Sequence, residues 1–193
     1  MQKNASYSPA ARSLHWLVGG LILVTLVIGW VWPTIAPGPD RQLFSNIHKL
    51  FGSAALFMVL LRIVVRLRRR PPDSSPFPRW QRMSSTAVHR LLYGLMLAMP
   101  LSGLATLNWR SGVAIFGIRL PQWTPEAVTR LLDSPADVFQ WTHYAGAWII
   151  SIFICLHIVA ALWHQFVKRD GVMSRMLPPA SETRTNLWHR RDN

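Results

Sequence analysis

The feature that most constrains this chain is a long apolar stretch from Asp137 to Lys168 that contains three histidines. His143, His157 and His164 are spaced fourteen and then seven residues apart. At about 100° per residue, an α-helix returns a side chain to within roughly 40° of its direction after fourteen residues and to within roughly 20° after seven. The three imidazoles are therefore predicted to lie on one stripe of one helix and to face the same neighbour.

The depth of these histidines is also predictable. A rise of about 1.5 Å per residue separates His143 from His157 by roughly 21 Å along the helix axis. A hydrocarbon layer is about 30 Å thick, so the two side chains would lie near opposite faces of a membrane. This spacing suggests two stacked metal centres.

Four apolar segments indicate a membrane protein. Hydrophobic residues make up 50% of the sequence and charged residues only 15%, which is below the usual quarter. The predicted segments are Leu14 to Trp32, Leu50 to Val65, Leu91 to Leu107 and Gly146 to Trp163. A soluble all-helical core is the alternative, but its helices would show polar faces that these segments lack. We predict an all-α, integral membrane four-helix bundle.

The net charge of +13 would suggest nucleic-acid binding in a soluble chain. Here the basic residues crowd before the first segment, between the second and third, and after the fourth. The other two connections, 33–47 and 108–140, balance four arginines with four carboxylates. By the positive-inside rule, both termini and the middle connection are predicted to be cytoplasmic. The basic excess is therefore read as a topology signal and a contact with membrane lipid, and no nucleic-acid partner is predicted.

Cys155 is the single cysteine of the sequence. A disulfide within the chain is excluded, and so is a covalent c-type haem, which needs a Cys-x-x-Cys-His run.

The first apolar segment is longer than the apolar core of a signal peptide and has no clear small-x-small cleavage site, so we interpret it as a retained helix. We expect residues 1–178 to form the membrane domain and the basic tail 179–193 to be disordered.

The helices are expected to begin at Ser13, near Phe44 and near Ser84, with Pro33, Pro37 and Pro39 holding a short outside loop. Arg62 is expected to extend its side chain toward the cytoplasmic face. A kink at Pro100 is tolerated in lipid because neighbouring helices satisfy the freed carbonyl. The outside segment 108–140, with a short helix from Thr124 to Asp133, is expected to form a lid over the outer face.

Six histidines lie in or beside the helices, at two depths. His48 and His143 fall at the outer end, and the inner half holds His15, His89, His157 and His164. Imidazoles from two opposed helices hold the iron of a b-type haem from both sides. A zinc site would need four close ligands, often carboxylate or thiolate, but no Asp or Glu lies inside the apolar segments. The pattern predicts haem, and depth alone leaves His15 and His89 as rivals for the inner site.

Four groups of residues match the pattern of a known family: Ser13-Leu14-His15-Trp16, Asn46-Ile47-His48-Lys49, the inner His89, and the pair His143 and His157. Over about residues 7 to 178 the chain resembles the bacterial cytochrome b561 family of four-helix, di-haem proteins of the inner membrane. The resemblance, shared with cytochrome b subunits of formate dehydrogenases and hydrogenases, implies two haem b groups. It implies that His15 and His157 hold the inner haem and that His48 and His143 hold the outer one.

The resemblance also implies a quinone near the inner haem. In superoxide oxidases, which are similar members of the family, ubiquinone is associated with that haem and with the histidine corresponding to His164. A quinone needs a hydrogen-bond donor at each carbonyl and a proton source, which histidine near neutral pH supplies. We expect His89 to enter at the level of His164 and Ser13 to contribute a hydroxyl. The alternative for His164 is an interfacial residue that anchors the helix end.

Two axial histidines leave no open iron position, so electron transfer is favoured over oxygen binding and no catalytic residue is predicted. The resemblance to superoxide oxidases implies that superoxide outside donates the electrons that reduce ubiquinone inside. Arg41 and Lys49 flank His48 and would attract a small anion, although a lipid phosphate or a haem propionate would serve them equally well.

A second hypothesis is a cytochrome b subunit that docks a periplasmic dehydrogenase or hydrogenase. The outside segment would then be the interface, with Trp109, Phe116 and Trp123 as its apolar anchors. A third, purely structural role as a membrane anchor leaves the histidine pairing unexplained.

Overall fold

The computed structural model describes residues 6–69, 77–110, 112–119 and 121–177, and its long helices form a bundle. The helices are α1 (Pro9–Val31), α2 (Pro39–Arg68), α3 (Arg79–Arg110), α4 (Glu126–Leu131) and α5 (Pro135–Trp163). All but α4 are long and apolar enough to cross a membrane. The predicted all-α, four-helix membrane fold is confirmed, whereas the tail 179–193 lies outside the described residues.

The helices begin earlier than predicted. Three of them have a proline in the first turn, at Pro9, Pro39 and Pro135. A proline there costs nothing, since its missing N–H has no partner in the first turn and its φ is already helical. The predicted starts at Ser13 and Phe44 are therefore wrong, because α1 and α2 extend back to the prolines that begin them.

The last membrane helix ends in an unusual way. After α5, residues His164–Lys168 form a π-helical turn, and Arg169 has a left-handed φ of 50°. A short 3-10 helix, Met173–Met176, follows. Because π-helical turns are rare and often occur at functional sites, the position of His164 in this one is informative.

Both ends of the described chain meet at one end of the bundle, which we call the basic end. The Tyr7 amide donates to the Arg175 carbonyl at 3.2 Å, and Trp16 Nε1 donates to the Met176 carbonyl at 2.9 Å. The same end contains the arginines that close α2 and open α3, which are Arg66, Arg68, Arg79 and Arg82. That this end faces the cytoplasm remains a prediction from the charge distribution.

The segment between α3 and α5 contains a small hairpin that the sequence did not predict. Strands β1 (Ala114–Ile115) and β2 (Ile118–Arg119) pair antiparallel, joined by Phe116 and Gly117 with φ of 47° and 84°. Two consecutive positive φ values match a tight hairpin turn. The short helix predicted within 124–133 is present as α4.

The ends of this segment are fastened to the bundle. Arg110, the last residue of α3, forms a 2.6 Å ion pair with Asp137 and donates to Gln140 at 2.6 Å, both in the first turns of α5. The amide of Asn108 exchanges hydrogen bonds with the backbone of Trp123. The segment is therefore held over the outer end of α3 and α5.

The long helices pack as two antiparallel pairs. α1 lies along α2, and α3 lies along α5, whereas α1 approaches α5 much less closely. Large aromatic side chains bridge part of that wider separation, as shown by the rings of Trp30 on α1 and Trp148 on α5, whose centroids are 4.5 Å apart. Any group bound between the two pairs would therefore be held by side chains reaching inward from both.

Candidate functional site

The histidines predicted as ligands face one another across the two helix pairs. In the outer pair, His48 of α2 and His143 of α5 have ring centroids 6.1 Å apart. In the inner pair, His15 of α1 and His157 of α5 are 6.2 Å apart. Each pair therefore joins one helix of the first helix pair to α5 of the second.

These separations leave room for a metal ion between the two rings of each pair. A metal–imidazole bond of about 2.0–2.1 Å, with the ring nitrogen about 1.2 Å from the ring centre, places two opposed imidazole centroids about 6.4 Å apart. Both observed separations are close to that value. The zinc alternative requires a larger cluster, and no suitable group of three or more His, Cys, Asp or Glu forms among the described residues.

The outer pair is oriented by backbone carbonyls. His48 Nδ1 lies 3.0 Å from the Thr25 carbonyl, and His143 Nδ1 lies 2.8 Å from the Met99 carbonyl. A carbonyl only accepts, so in both rings Nδ1 bears the hydrogen and Nε2 keeps a free lone pair. Metal-binding histidines are generally oriented in this way, by a hydrogen bond from the ring nitrogen that does not bind the metal. Both outer rings are thus prepared to ligate a metal through Nε2.

Two glycines complete this arrangement. Gly29 lies four residues after Thr25, and Gly103 lies four residues after Met99. A Cβ at Gly29 would lie 2.9 Å from His48 Cε1, and one at Gly103 would lie 3.0 Å from His143 Cε1. Each outer ring therefore rests on a glycine one turn beyond the carbonyl that orients it. Sequence reasoning missed both glycines, although a glycine in an apolar helix at the depth of a neighbouring histidine was an available signal.

We expect Gly29→Ala and Gly103→Ala to weaken binding of the predicted outer haem. Overpacking of this kind costs about 1–3 kcal/mol, which corresponds to roughly 5- to 150-fold in affinity. The measurement is the rate at which haem leaves the purified protein for an excess of apomyoglobin. Gly20→Ala and Gly94→Ala are matched controls, since a Cβ at either position has no neighbour within 4 Å. Equal rates in all four variants would contradict the proposed role of these glycines.

A third imidazole lies at the inner level. The rings of His89 and His157 are 5.5 Å apart, and His89 Nδ1 lies 2.6 Å from the Ser85 carbonyl, which leaves Nε2 free. His15 Nδ1 is buried and has no hydrogen-bond partner among the described residues. The ring separation favours His15 as the partner of His157, whereas the fixed tautomer favours His89. Both rivals from the sequence are therefore present at the site.

His89 does not lie at the level expected. It was predicted to enter beside His164, but His164 instead lies against Gln81, with 3.2 Å between His164 Nε2 and Gln81 Nε2. Gln81 precedes His89 by eight residues on α3, about 12 Å along the axis. The expectation failed because the register of α3 against α5 is set by packing. Ser13 lies two residues before His15 and is exposed.

His164 belongs to a polar cluster at the basic end. His164 Nδ1 lies 2.6 Å from Asp170 Oδ2, and the two side chains are only 16% and 23% exposed. Lys168 Nζ donates to Gln81 Oε1 at 3.3 Å, which orients the Gln81 amide nitrogen toward His164 Nε2. The π-helical turn and the bend at Arg169 bring Asp170 back to the imidazole. Neither Asp170 nor Gln81 was singled out in the sequence.

Arg62 also departs from expectation. Its Nε donates to the Tyr93 hydroxyl on α3 at 3.1 Å, and its guanidinium lies 5.5 Å from the centre of that ring. Tyr93 lies four residues beyond His89, further from the basic end. The side chain therefore reaches across to α3 rather than toward the cytoplasmic face.

Comparison with known proteins identifies the family. The prokaryotic cytochrome b561 family matches residues 6–179. The chain is 31% identical to the "Probable superoxide oxidase CybB" of Yersinia pestis, over 91% of this chain and 97% of that protein. It is 27% identical to "Cytochrome b561 homolog 2" of Escherichia coli (strain K12), over 91% and 93%. It is also 23% identical to a "Probable Ni/Fe-hydrogenase B-type cytochrome subunit" of Rhizobium leguminosarum bv. viciae, over 86% and 66%.

The family match, four membrane-spanning helices and opposed histidines at two depths agree with one another. Members of this family bind b-type haem and transfer electrons across the bacterial inner membrane. The histidine pairs, with their centroid separations and free Nε2 atoms in the outer pair, fit that cofactor. The chain belongs to the prokaryotic cytochrome b561 family and is a multi-pass redox cytochrome of the bacterial inner membrane.

Proposed function

We propose that this protein oxidises superoxide at the outer face of the inner membrane and reduces ubiquinone at the cytoplasmic face. Two superoxide anions, one ubiquinone and two protons give two molecules of oxygen and one ubiquinol. The observation that supports this most strongly is the presence of two opposed imidazole pairs about 21 Å apart along α5. The similarity to a probable superoxide oxidase supports the choice of donor.

His48 with His143, and His15 with His157, would hold the two b-type haems. Held by two imidazoles each, these groups would supply one-electron transfer chemistry. The chain itself must therefore bring the donor to the outer face and deliver protons at the cytoplasmic face.

A surface pocket at the outer face is suited to a small anion. It has a volume of about 310 Å³ and is lined by Trp32, Pro37, Gly38, Arg41, Gln42 and Ser45. The Arg41 guanidinium lies 5.4 Å from the centre of the Trp32 ring. Arg41, Ser45 and His48 follow one another at i+4 and i+3 spacing, so they share one face of α2. The positive charges of Arg41 and Lys49 would concentrate superoxide beside the ring of His48.

The polar cluster at the basic end is suited to proton delivery. In the neutral His164 ring, Nδ1 donates to Asp170 and Nε2 accepts from the Gln81 amide. A proton passing from the cytoplasm to a quinone would be carried at Nε2, since Nδ1 is engaged by Asp170. The Gln81 amide is itself a donor, so it must turn away from Nε2 before that proton is donated to a quinone oxygen. The Ser13 hydroxyl would be a second donor to the quinone. His89 lies at the level of His157, away from His164 and the proposed quinone site.

The direct test mixes the purified protein with a pulse of superoxide and with ubiquinone. We expect haem absorbance to change to the reduced form without any protein partner, and about one ubiquinol to form per two superoxide consumed. Superoxide dismutase must abolish both signals. A protein that remains oxidised under the pulse would contradict the proposed donor.

The Asp170→Asn variant separates the two faces in the same experiment. Haem reduction by superoxide should keep its rate, whereas ubiquinol formation should slow by about tenfold or more, since a positioned proton donor contributes about 10²–10⁴-fold. Asp133→Asn, which changes an exposed carboxylate in the outer segment, is the control. An unchanged rate of ubiquinol formation in Asp170→Asn would remove the polar cluster from the proposal.

The second candidate function is a cytochrome b subunit that accepts electrons from a periplasmic redox enzyme. The similarity to hydrogenase B-type cytochrome subunits favours it. Of the three anchors named from the sequence, Phe116 and Trp123 are 52% and 74% exposed. Trp109 is different, because its ring packs against Phe139 and its Nε1 is buried. Inertness toward superoxide, together with reduction by such an enzyme, would select this function.

A further inference from the structure

Arg62 is a cation at the inner level, and none of the described residues of the four long helices places a carboxylate beside it. Arg62 follows His48 by fourteen residues on α2, just as His157 follows His143 by fourteen on α5. Fourteen residues return a helix to nearly the same face, about 21 Å further along. Arg62 therefore occupies on α2 the depth and face that His157 occupies on α5.

The chain provides Arg62 with a neutral partner. The Tyr93 hydroxyl accepts from Arg62 Nε, and its own hydrogen remains available to donate. Within the described parts of the four long helices, the carboxylates are Asp40 and Asp137. Asp40 lies 22 residues from Arg62 on the same helix, about 33 Å along the axis. Asp137 lies at the same outer end and is paired with Arg110.

An arginine inside a membrane bundle almost always faces the interior or a water-filled cavity, where it pairs with another ionisable group or with a backbone carbonyl. Arg62 is half-buried, and its Nε is bonded to the Tyr93 hydroxyl. Tyr93 lies one helical turn from His89, whose ring is 5.5 Å from that of His157. A group held by those imidazoles would therefore lie within reach of the guanidinium. Haem b has two propionate carboxylates, and these would supply the negative charge that the described parts of the four long helices do not provide at this level.

We propose that Arg62 binds a propionate of the inner haem, with the Tyr93 hydroxyl as a second donor to the same carboxylate. This inference rests on the proposed haem site and assigns a role that the histidine ligands do not perform. A guanidinium presents two parallel N–H groups to a carboxylate, so the pair would fix the orientation of the bound haem. The positive charge also favours the reduced state, since reduction makes the bound group more negative.

The first readout is a potentiometric titration of both haems in the intact protein. In Arg62→Gln we expect one haem to shift toward the oxidised form by roughly tenfold in its equilibrium constant, about 59 mV for a one-electron couple, with the other haem unchanged. Arg62→Lys keeps the positive charge but lacks the two parallel N–H groups of arginine. The potential of that haem should therefore lie between its values in the wild type and in Arg62→Gln. Arg68→Gln, an exposed change on the same helix, should leave both haems unchanged.

The second readout distinguishes binding from mere proximity of charge. Cells fed 5-aminolevulinate that is ¹³C-labelled at its carboxyl group make haem labelled only at the propionates. In redox-difference infrared spectra, the label-sensitive carboxylate bands should move in both Arg62→Gln and Tyr93→Phe, and should stay in place in Arg68→Gln. Tyr93→Phe retains the cation and most of the side-chain volume, so it provides a test even if Arg62→Gln fails to assemble.

Unchanged propionate bands in both variants would overturn the inference, and so would an equal shift of both haems in Arg62→Gln. Neither result would contradict the proposed haem sites, because both measurements are made on protein that contains two haems. A wild-type protein without haem would instead remove the proposed function itself. The two failures are therefore distinguishable.

Discussion

Changing His143 to alanine is expected to halve the haem content of the purified protein. His143 is the ring that Met99 orients and Gly103 accommodates, so its removal leaves His48 alone on one side of the outer site. A b-type haem has no covalent link to the chain, and loss of one axial ligand removes much of what retains it. His48→Ala should give the same loss, because the Thr25 carbonyl and Gly29 prepare that ring in the same way.

The measurement is the haem-to-protein ratio with a potentiometric titration of what remains. A single component should survive in His143→Ala and in His48→Ala, and it should be the same component in both. His164→Ala is the matched control, since its ring is engaged by Asp170 and Gln81 at the basic end. Retention of both haems in either outer variant would show that the outer pair has been wrongly assigned.

Changing His157 to alanine is expected to remove the other haem and to leave the outer one. His157 is the inner ring that both rivals face, at 6.2 Å for His15 and 5.5 Å for His89. The separation for His15 agrees with that of the outer pair, and this agreement favours His15 although its Nδ1 has no hydrogen-bond partner among the described residues. We therefore expect His15→Ala to lose the inner haem and His89→Ala to retain it.

Chemical rescue makes this comparison sharper. In His15→Gly, imidazole added to the growth medium should restore the inner haem, because it fills the space of the lost ring and ligates in its place. His89→Gly should retain the inner haem without added imidazole. Loss of the inner haem in His89→Ala, with retention in His15→Ala, would reverse the assignment.

The parts of the site predicted from the sequence are those that depend on one helix at a time. The spacing of His143 and His157 within α5 predicted two depths, and the order of the apolar segments placed His48 at the outer depth and both His15 and His89 at the inner one. The choice of His15 rested on the family resemblance. The carbonyls of Thr25 and Met99 were not predictable, because which carbonyl meets a ring depends on the register between neighbouring helices. That register is set by side-chain packing across the pair, and a single sequence does not display it.

The errors have the same origin. His89 was placed with His164 because both lie near the same end of their segments, yet packing of α3 along α5 moves His89 up to His157. Arg62 was expected to follow the general tendency of membrane arginines to reach the nearer surface. Its hydrogen bond to Tyr93 depends on a residue of the next helix, which no local rule identifies.

The central claim is that opposed imidazoles at two depths bind two haems. Its most direct test is the haem content of the wild-type protein, purified from cells with ample haem supply, combined with low-temperature electron paramagnetic resonance. We predict two haems per chain, both low-spin with two nitrogen axial ligands. A colourless protein, or a high-spin signal from an iron with an open axial position, would contradict this account.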